Sequence, residues 1–223
     1  MIKLYRRENY LQRIRGFYHD TGMIKVITGI RRCGKSCLMQ TIAGELRESG
    51  IPEDQIVYMN LDRRGFKHIK TPEQLEAAID QACTAEGIKY LFIDEIQNVE
   101  GFEEVLNAYR EEEEYSIFIT GSNSYLLSGE LATKLTGRYL QLEMFPLTFD
   151  EYVGMKRFMG QEVSDDPAAE LEHFIQEGGF PKALDYPDPE DKRTYVRGVI
   201  SEIFEKDIKK RVKIRNVSVF NKV

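Results

Sequence analysis

No apolar run in the 223 residues approaches the roughly 18 that cross a bilayer. The opening Met1-Ile2-Lys3-Leu4-Tyr5-Arg6-Arg7 lacks the apolar stretch of a secretory signal. A cytoplasmic location with no membrane partner is the expectation. Cysteine is scarce: there are three, an odd number, and the only close pair, Cys33 and Cys37, falls inside a motif of its own. That pattern fits a reducing compartment and argues against a disulfide framework or a cysteine-based metal site. Positive charge is not in excess either, since 31 Lys and Arg against 37 Asp and Glu leave a net charge of −6. The global basic field that draws proteins to nucleic acid is therefore missing. What is present is an ordinary globular balance, 42% hydrophobic and 30% charged, without the signature of wholesale disorder. The length allows one α/β domain of about 150 residues and a smaller appendage.

The segment Met23-Ile24-Lys25-Val26-Ile27 is short and rich in β-branched residues, and it runs into Gly29-Ile30-Arg31-Arg32-Cys33-Gly34-Lys35-Ser36, which fills every fixed place of G-x-x-x-x-G-K-[ST]. Glycines are needed there because the backbone must curl around an anion at φ values that a side chain resists, turning successive N–H groups inward. The helix that follows, with Leu38, Ile42 and Leu46 four apart, points its positive end at the same anion. Strand, loop and helix together are the context the motif requires. Gly29, Ile30, Arg31, Arg32, Cys33, Gly34, Lys35, Ser36 and Cys37 are thus expected to cradle the phosphates of ATP. Lys35 supplies a point charge for the β- and γ-phosphates, and the Ser36 hydroxyl a ligand for the bridging Mg²⁺. Cys33 reads either as an oxidation-sensitive thiol or, preferably, as a small residue that fits the loop.

Beyond Gly50 strands and helices alternate, the pattern of a parallel sheet covered on both faces. Strands are expected at 56–61, 90–95, 115–119 and 139–145. Thr71 and Gln74 form a capping box for one helix, Phe102, Val105, Leu106 and Tyr109 stripe another, and Thr148 with Glu151 caps a third. The third strand, Tyr90-Leu91-Phe92-Ile93-Asp94-Glu95, is a large apolar run ending in two acids, as expected of a buried strand whose carboxyl end opens on a polar site. Asp94 would hold Mg²⁺ through water, and Glu95 would polarise the water attacking the γ-phosphate. The fourth strand ends in Thr120-Gly121-Ser122-Asn123-Ser124, where Asn123, or else Ser122, reads as a sensor of the γ-phosphate. Residues 3 to 21 look helical, with Leu4, Leu11, Ile14 and Phe17 on one side and Arg6, Arg7, Arg13 and Arg15 elsewhere. Packing of this helix on the domain is preferred over contact of Tyr5 or Tyr10 with the base.

The blocks Gly-Ile-Arg-Arg-Cys-Gly-Lys-Ser at 29–36, Phe-Ile-Asp-Glu-Ile-Gln-Asn-Val at 92–99, Thr-Gly-Ser-Asn-Ser at 120–124, Thr-Gly-Arg at 136–138, Pro-Leu-Thr-Phe-Asp-Glu-Tyr at 146–152 and Gly-Gly-Phe-Pro-Lys-Ala-Leu at 178–184 occur in this order. Together they resemble the prokaryotic ATP-binding proteins of the AAA superfamily, in the subgroup that continues into a C-terminal domain of unknown function. The resemblance implies a P-loop NTPase of the α/β class with a five-stranded parallel sheet in the order 5-1-4-3-2 and a small α-helical lid. It also implies Asn123 or Ser122 as the sensor, and Arg138 as an arginine acting on the γ-phosphate or on a neighbouring subunit's site. The chain departs from the subgroup by stopping at Val223, so the lid is expected to be truncated.

Polar, breaker-rich residues at 160–167 place the expected boundary between a 1–160 ATPase domain and a 161–223 lid. In the lid, Leu171, Phe174 and Ile175 are expected to be buried, and Asp188-Pro189 to open a long helix. Lys206, Lys209, Lys210, Arg211, Lys213 and Arg215 form a basic cluster. It reads as a solvated face or a dock for a further domain or protein in preference to a DNA-binding surface, because no aromatic interleaves for base stacking. Three function classes follow: a Mg²⁺-dependent ATPase that switches an attached domain or partner, a poorly hydrolysing nucleotide-responsive module for DNA or protein, and a P-loop kinase. The Asp94-Glu95 pair argues against the kinase. Oligomeric state is not legible.

Overall fold

The structure is a computed structural model that describes residues 4–121, 135 and 137–208. Five strands, β1 (Ile24–Gly29), β2 (Ile56–Asn60), β3 (Lys89–Asp94), β4 (Tyr115–Thr120) and β5 (Tyr139–Met144), form one sheet in the order β2-β3-β4-β1-β5, and every neighbouring pair is parallel. This is the expected order 5-1-4-3-2 read from the other edge. The three inner strands β1, β3 and β4 are buried at every position, whereas the edge strands β2 and β5 are only partly so. That is why the inner three read as continuous apolar runs.

Helices α1 (Glu8–Ile14), α2 (Lys35–Glu48), α3 (Pro72–Ala82) and α4 (Phe102–Glu111) belong with the sheet. Alternation along each strand sorts the two faces. Ile24 and Val26, Leu91 and Ile93, and Ile117 and Ile119 meet Leu75 and Ile79 of α3 and Phe102, Val105, Leu106 and Tyr109 of α4 in one apolar core. On the opposite phase Phe92 stacks on Phe118 with centroids 4.6 Å apart and on Tyr58 with centroids 6.0 Å apart. The Thr71–Gln74 capping box that opens α3 and the Thr148–Glu151 box that opens the next helix are both formed.

Lys25 shares the aromatic face and is fully buried. Its ammonium donates to the Asp20 carbonyl (2.6 Å) and the Ser116 hydroxyl (2.8 Å) and lies 4.6 Å over the Phe118 ring. Burial pushes its pKa down to about 7, with the Asp20 charge opposing the shift. A base whose folded pKa lies below its unfolded value leaves the unfolded chain to take the proton first as pH falls. Its full contribution to stability is therefore present above about 10.5 and is lost progressively down to about 7. The slope is at most about 1.4 kcal/mol per pH unit. Lys25→Met should flatten the parent's rise in stability between pH 7.5 and 9.5, read from denaturant midpoints; parallel pH profiles for the two proteins would count against it.

Contacts divide the chain into two units, one of Met1–Gly29 and Cys33–Pro146, the other of Ile30–Arg32 and Leu147–Val223. The expected boundary at 160 thus falls inside the second unit. The reason is α5 (Phe149–Phe158), whose Tyr152 is fully buried among Leu147, Leu184 and Phe174 and donates its hydroxyl to Glu177 at 2.7 Å. That core ties α5 to α6 (Pro167–Glu177), and α7 (Pro189–Ile203) follows, capped by Asp188 as expected. The burial expected along α6 is corrected: Leu171 is 42% and Ile175 72% exposed, because among the described residues no element covers that side of the helix, and only Phe174 joins the core. No helix among the described residues is long and apolar enough to cross a membrane.

Candidate functional site

The loop between β1 and α2 has the backbone that its glycines demand. Gly29 sits at φ 149° with its strand paired to β5, and an added Cβ would lie 2.4 Å from the Met144 carbonyl oxygen and 2.9 Å from the Cys33 sulfur. Substitution is blocked there by space as well as by conformation. At Gly34, φ is 108° and the added Cβ would meet nothing within 4 Å, so conformation alone sets the requirement. Arg32 is also left-handed (φ 66°), a conformation that costs a non-glycine residue energy and recurs in loops whose N–H groups converge on anions. Gly34 is the N-cap of α2, and Lys35 opens the helix with its side chain nearly buried and its ammonium 2.9 Å from the Gly29 carbonyl oxygen.

The loop residues do not all keep the same company. Cys33 is fully buried and its thiol is pushed up by burial, so it is the fitted residue and not an exposed reactive one. Ile30, Arg31 and Arg32 group with the second unit: Ile30 packs against the cluster of Phe180, Ala183 and Val199, Arg31 Nε lies 3.1 Å from Asp207, and Arg32 lies 3.7 Å from Glu202. Cys37 is exposed at the first turn of α2.

Asp94 ends β3 with no exposure at all. Its carboxylate accepts from Asn60 Nδ2 at 2.7 Å, from the Thr120 hydroxyl and from the Tyr58 hydroxyl at 3.4 Å. The same Tyr58 hydroxyl lies 3.5 Å from the Ser36 carbonyl, so the start of α2 and the end of β3 meet at one phenol. A buried carboxylate with donors on several sides keeps one orientation. Burial beside Asp94 raises the Tyr58 phenol well above its ordinary value, so it stays a donor. Glu95 follows in the left-handed region (φ 62°), where its N–H donates to Thr120 Oγ1 at 3.0 Å and its carboxylate accepts from Gln97 Nε2. That conformation costs a non-glycine residue energy.

Asn60 was not expected here, and Thr120 was read only as part of the polar end of the fourth strand, not as a partner of Asp94. They lie at the ends of the strands flanking β3, so the sheet order brings both to Asp94; their only signal was that each closes an apolar strand with a polar residue. Arg7 was also missed, having been counted among outward cations, yet it is 6% exposed. Its guanidinium donates to the carbonyls of Cys33 (3.0 Å), Phe145 (2.8 Å) and Pro146 (3.2 Å). Tyr10 is buried beneath it and accepts the Phe145 N–H, which makes the packing role, not a base contact, the one it fills.

Ser122 and Asn123 lie outside the described residues, as do Lys209, Lys210, Arg211, Lys213 and Arg215 of the basic cluster. Lys206 is ion-paired to Glu202 at 2.6 Å. Arg138 is not brought to the loop. It precedes β5, whose first residue pairs with Ile24 at the start of β1, and its exposed guanidinium pairs with Glu111 at 3.0 Å. Mg²⁺ is usually held by few protein ligands, substrate phosphates and water, and the residues present fit: a fully buried Asp94 carboxylate ends β3, and the Tyr58 hydroxyl that bonds it also reaches the Ser36 carbonyl at the start of α2. Ser36 and Asp94 are the two that would hold it.

Relatives match most of this chain's length. An uncharacterized protein of Haemophilus influenzae is 37% identical over 97% of this chain and 54% of its own, and one of Methanocaldococcus jannaschii is 34% identical over 87% and 44%. The chain therefore spans about half the length of the curated relatives it matches. In three dimensions it resembles a subunit in the extended S. cerevisiae Hsp104:casein complex, with a TM-score of 0.55 and 15% identity over 94% of this chain and 39% of that one, a likeness of fold alone. The family described as the AAA domain matches residues 21–153, which hold the loop, Asp94, Glu95 and all five strands, and the chain belongs to that family.

Proposed function

We propose that the chain binds Mg-ATP at the loop of residues 29–37 and hydrolyses it, and that the nucleotide state switches an attached domain or a partner. The reading is carried by the end of β3, where a fully buried Asp94 is held by Asn60 and Thr120 and is followed at once by Glu95. The loop N–H groups, the positive end of α2 and Lys35 take the phosphates. Bound Mg²⁺ would supply neutralisation of the phosphate charge. The Ser36 hydroxyl, and Asp94 through water, would hold it. Glu95 accepts the proton of the attacking water, and Gln97, hydrogen-bonded to it, holds its carboxylate in place. Arg138 and the 122–123 segment complete the proposal as a neighbour's arginine and a γ-phosphate sensor.

A glutamate adjoining the metal-binding aspartate favours hydrolysis over transfer to a small molecule. The subgroup with a C-terminal domain accords with relatives about twice as long as this chain. Such a domain, or a protein or DNA partner of the basic segment after Lys206, is where the switch would act. The test is phosphate release from Mg-ATP with no added acceptor. Glu95→Gln keeps shape and hydrogen bonding but removes the base, so it should bind Mg-ATP as the parent does and turn it over about a hundredfold more slowly. Turnover at the parent rate would move water activation elsewhere; ADP formed only when an alcohol or nucleotide acceptor is added, with the phosphoryl group recovered on that acceptor, would make it a kinase.

A further inference from the structure

We infer that Arg7, 22 residues ahead of the loop's first glycine, is a positioning residue for the phosphates: it holds the Cys33–Gly34 peptide so that the Gly34 N–H faces the anion. The inference rests on the nucleotide reading of the loop and adds a residue from outside the motif.

The geometry is that of a fork with three tines occupied. Nη1 donates to Cys33 O and to Phe145 O, and Nη2 donates to Pro146 O. Arg7 itself stands at the N-cap of α1, and its guanidinium carbon lies 4.6 Å over the ring of Tyr10, whose hydroxyl accepts the Phe145 N–H at 3.1 Å. The turn after β5 and the helix before β1 are thus pinned together, and the same cation reaches into the loop. The bonds to Phe145 and Pro146 suffice to brace that turn. The bond to Cys33 does something else. A trans peptide is planar, with its C=O and N–H pointing in opposite directions. Fixing the Cys33 carbonyl toward Arg7 therefore fixes the Gly34 N–H away from it, on the side where the loop curls around its anion. Gly34 has no side chain to hold that peptide and sits at φ 108°, a region in which glycine moves with little hindrance. Without an external anchor this peptide would be free to flip.

The cation also acts through charge. A donor on the carbonyl polarises the peptide and strengthens its N–H as a donor in turn, and the low local dielectric enlarges the effect. Arg7 is nearly buried and Cys33 wholly so, which keeps water from screening the contact. An arginine serves better than a lysine because a rigid, planar fork can satisfy carbonyls from two segments at once.

The experiment compares the parent with Arg7→Met, Arg7→Lys and Lys35→Ala, measuring calorimetric affinity for Mg-ATP and for pyrophosphate, and the Gly34 amide resonance by NMR. Arg7→Met should lose about 10- to 100-fold in affinity for both ligands, the range for a charge-assisted hydrogen bond, and should shift the Gly34 amide; Arg7→Lys should recover part of both. Parent affinity in a less stable Arg7→Met protein would overturn the inference and leave Arg7 a brace for the turn. Should Arg7→Met not fold, exchange of the Arg7 guanidinium protons in the parent decides: it should slow when Mg-ATP saturates the loop, and an unchanged rate overturns the inference. Failure of the nucleotide reading itself looks different, because the parent and Lys35→Ala would then bind equally little.

Discussion

Lys35→Ala should lower the affinity for Mg-ATP by roughly 30-fold to several thousand-fold, the effect of removing one partner from a desolvated charge pair worth about 2–5 kcal/mol. The side chain is nearly buried, and its ammonium reaches the Gly29 carbonyl, which holds it inside the curve of the loop where a triphosphate would place its charge. Loop amides and the end of α2 contribute partial charges only, each worth about 1 kcal/mol or less, and cannot replace a full one. The fold should survive, since alanine is a good helix former at the first position of α2. Calorimetry on the two proteins checks it. Equal affinities would sink the phosphate-loop reading and everything proposed from it.

Mixing Arg138→Ala with Lys35→Ala protein should restore part of the hydrolysis that each lacks alone. The structure sharpens this expectation. Arg138 stands before β5, beside the first residue of β1, whereas the loop begins at the last residue of β1. Five strand steps of about 3.3 Å put them roughly 16 Å apart along the sheet, more than an arginine side chain spans. If Arg138 acts on a γ-phosphate, that phosphate belongs to a neighbouring subunit. In a mixed assembly the Arg138→Ala subunit keeps an intact pocket and borrows the arginine of its Lys35→Ala neighbour. An arginine in this role is worth about a thousandfold in rate, so the rescue is measurable, and specific activity of the parent should rise with concentration. Specific activity that stays flat on dilution, with no rescue in the mixture, would leave Arg138 as a surface cation paired with Glu111.

Much of the site was legible because its signals are local. The glycines at 29 and 34, the lysine and serine after them and the acids at 94 and 95 each follow from backbone conformation or from the end of one strand. Three supporting residues were not legible. Asn60 and Thr120 lie far from Asp94 in sequence, and only the pairing of β2 and β4 on either side of β3 brings them to its carboxylate. Arg7 looked like one cation among four on an amphipathic helix, and nothing in its neighbours announces that it would be turned inward onto carbonyls of residues 33, 145 and 146. The apolar stripe of α6 failed in the other direction: spacing identifies a face, but Leu171 and Ile175 stay exposed because burial depends on another element covering that face.

By itself the sequence determined the succession of elements, the capping boxes at Thr71 and Thr148, the buried character of β1, β3 and β4, and the phosphate-loop motif. Each of these depends on residues within a few positions of one another, where φ, hydrogen bonds to the next turn and side-chain alternation decide the outcome. The strand order came from resemblance to a family, since neither spacing nor composition orders strands in a sheet. Tertiary structure alone decided which polar residues flank Asp94, that Arg7 is buried against the loop, that Arg138 lies a strand's length from Gly29, and that α5 shares its core with α6. Those depend on contacts between distant segments, and a long-range contact is set by the packing of whole elements, to which no short stretch of residues is a guide.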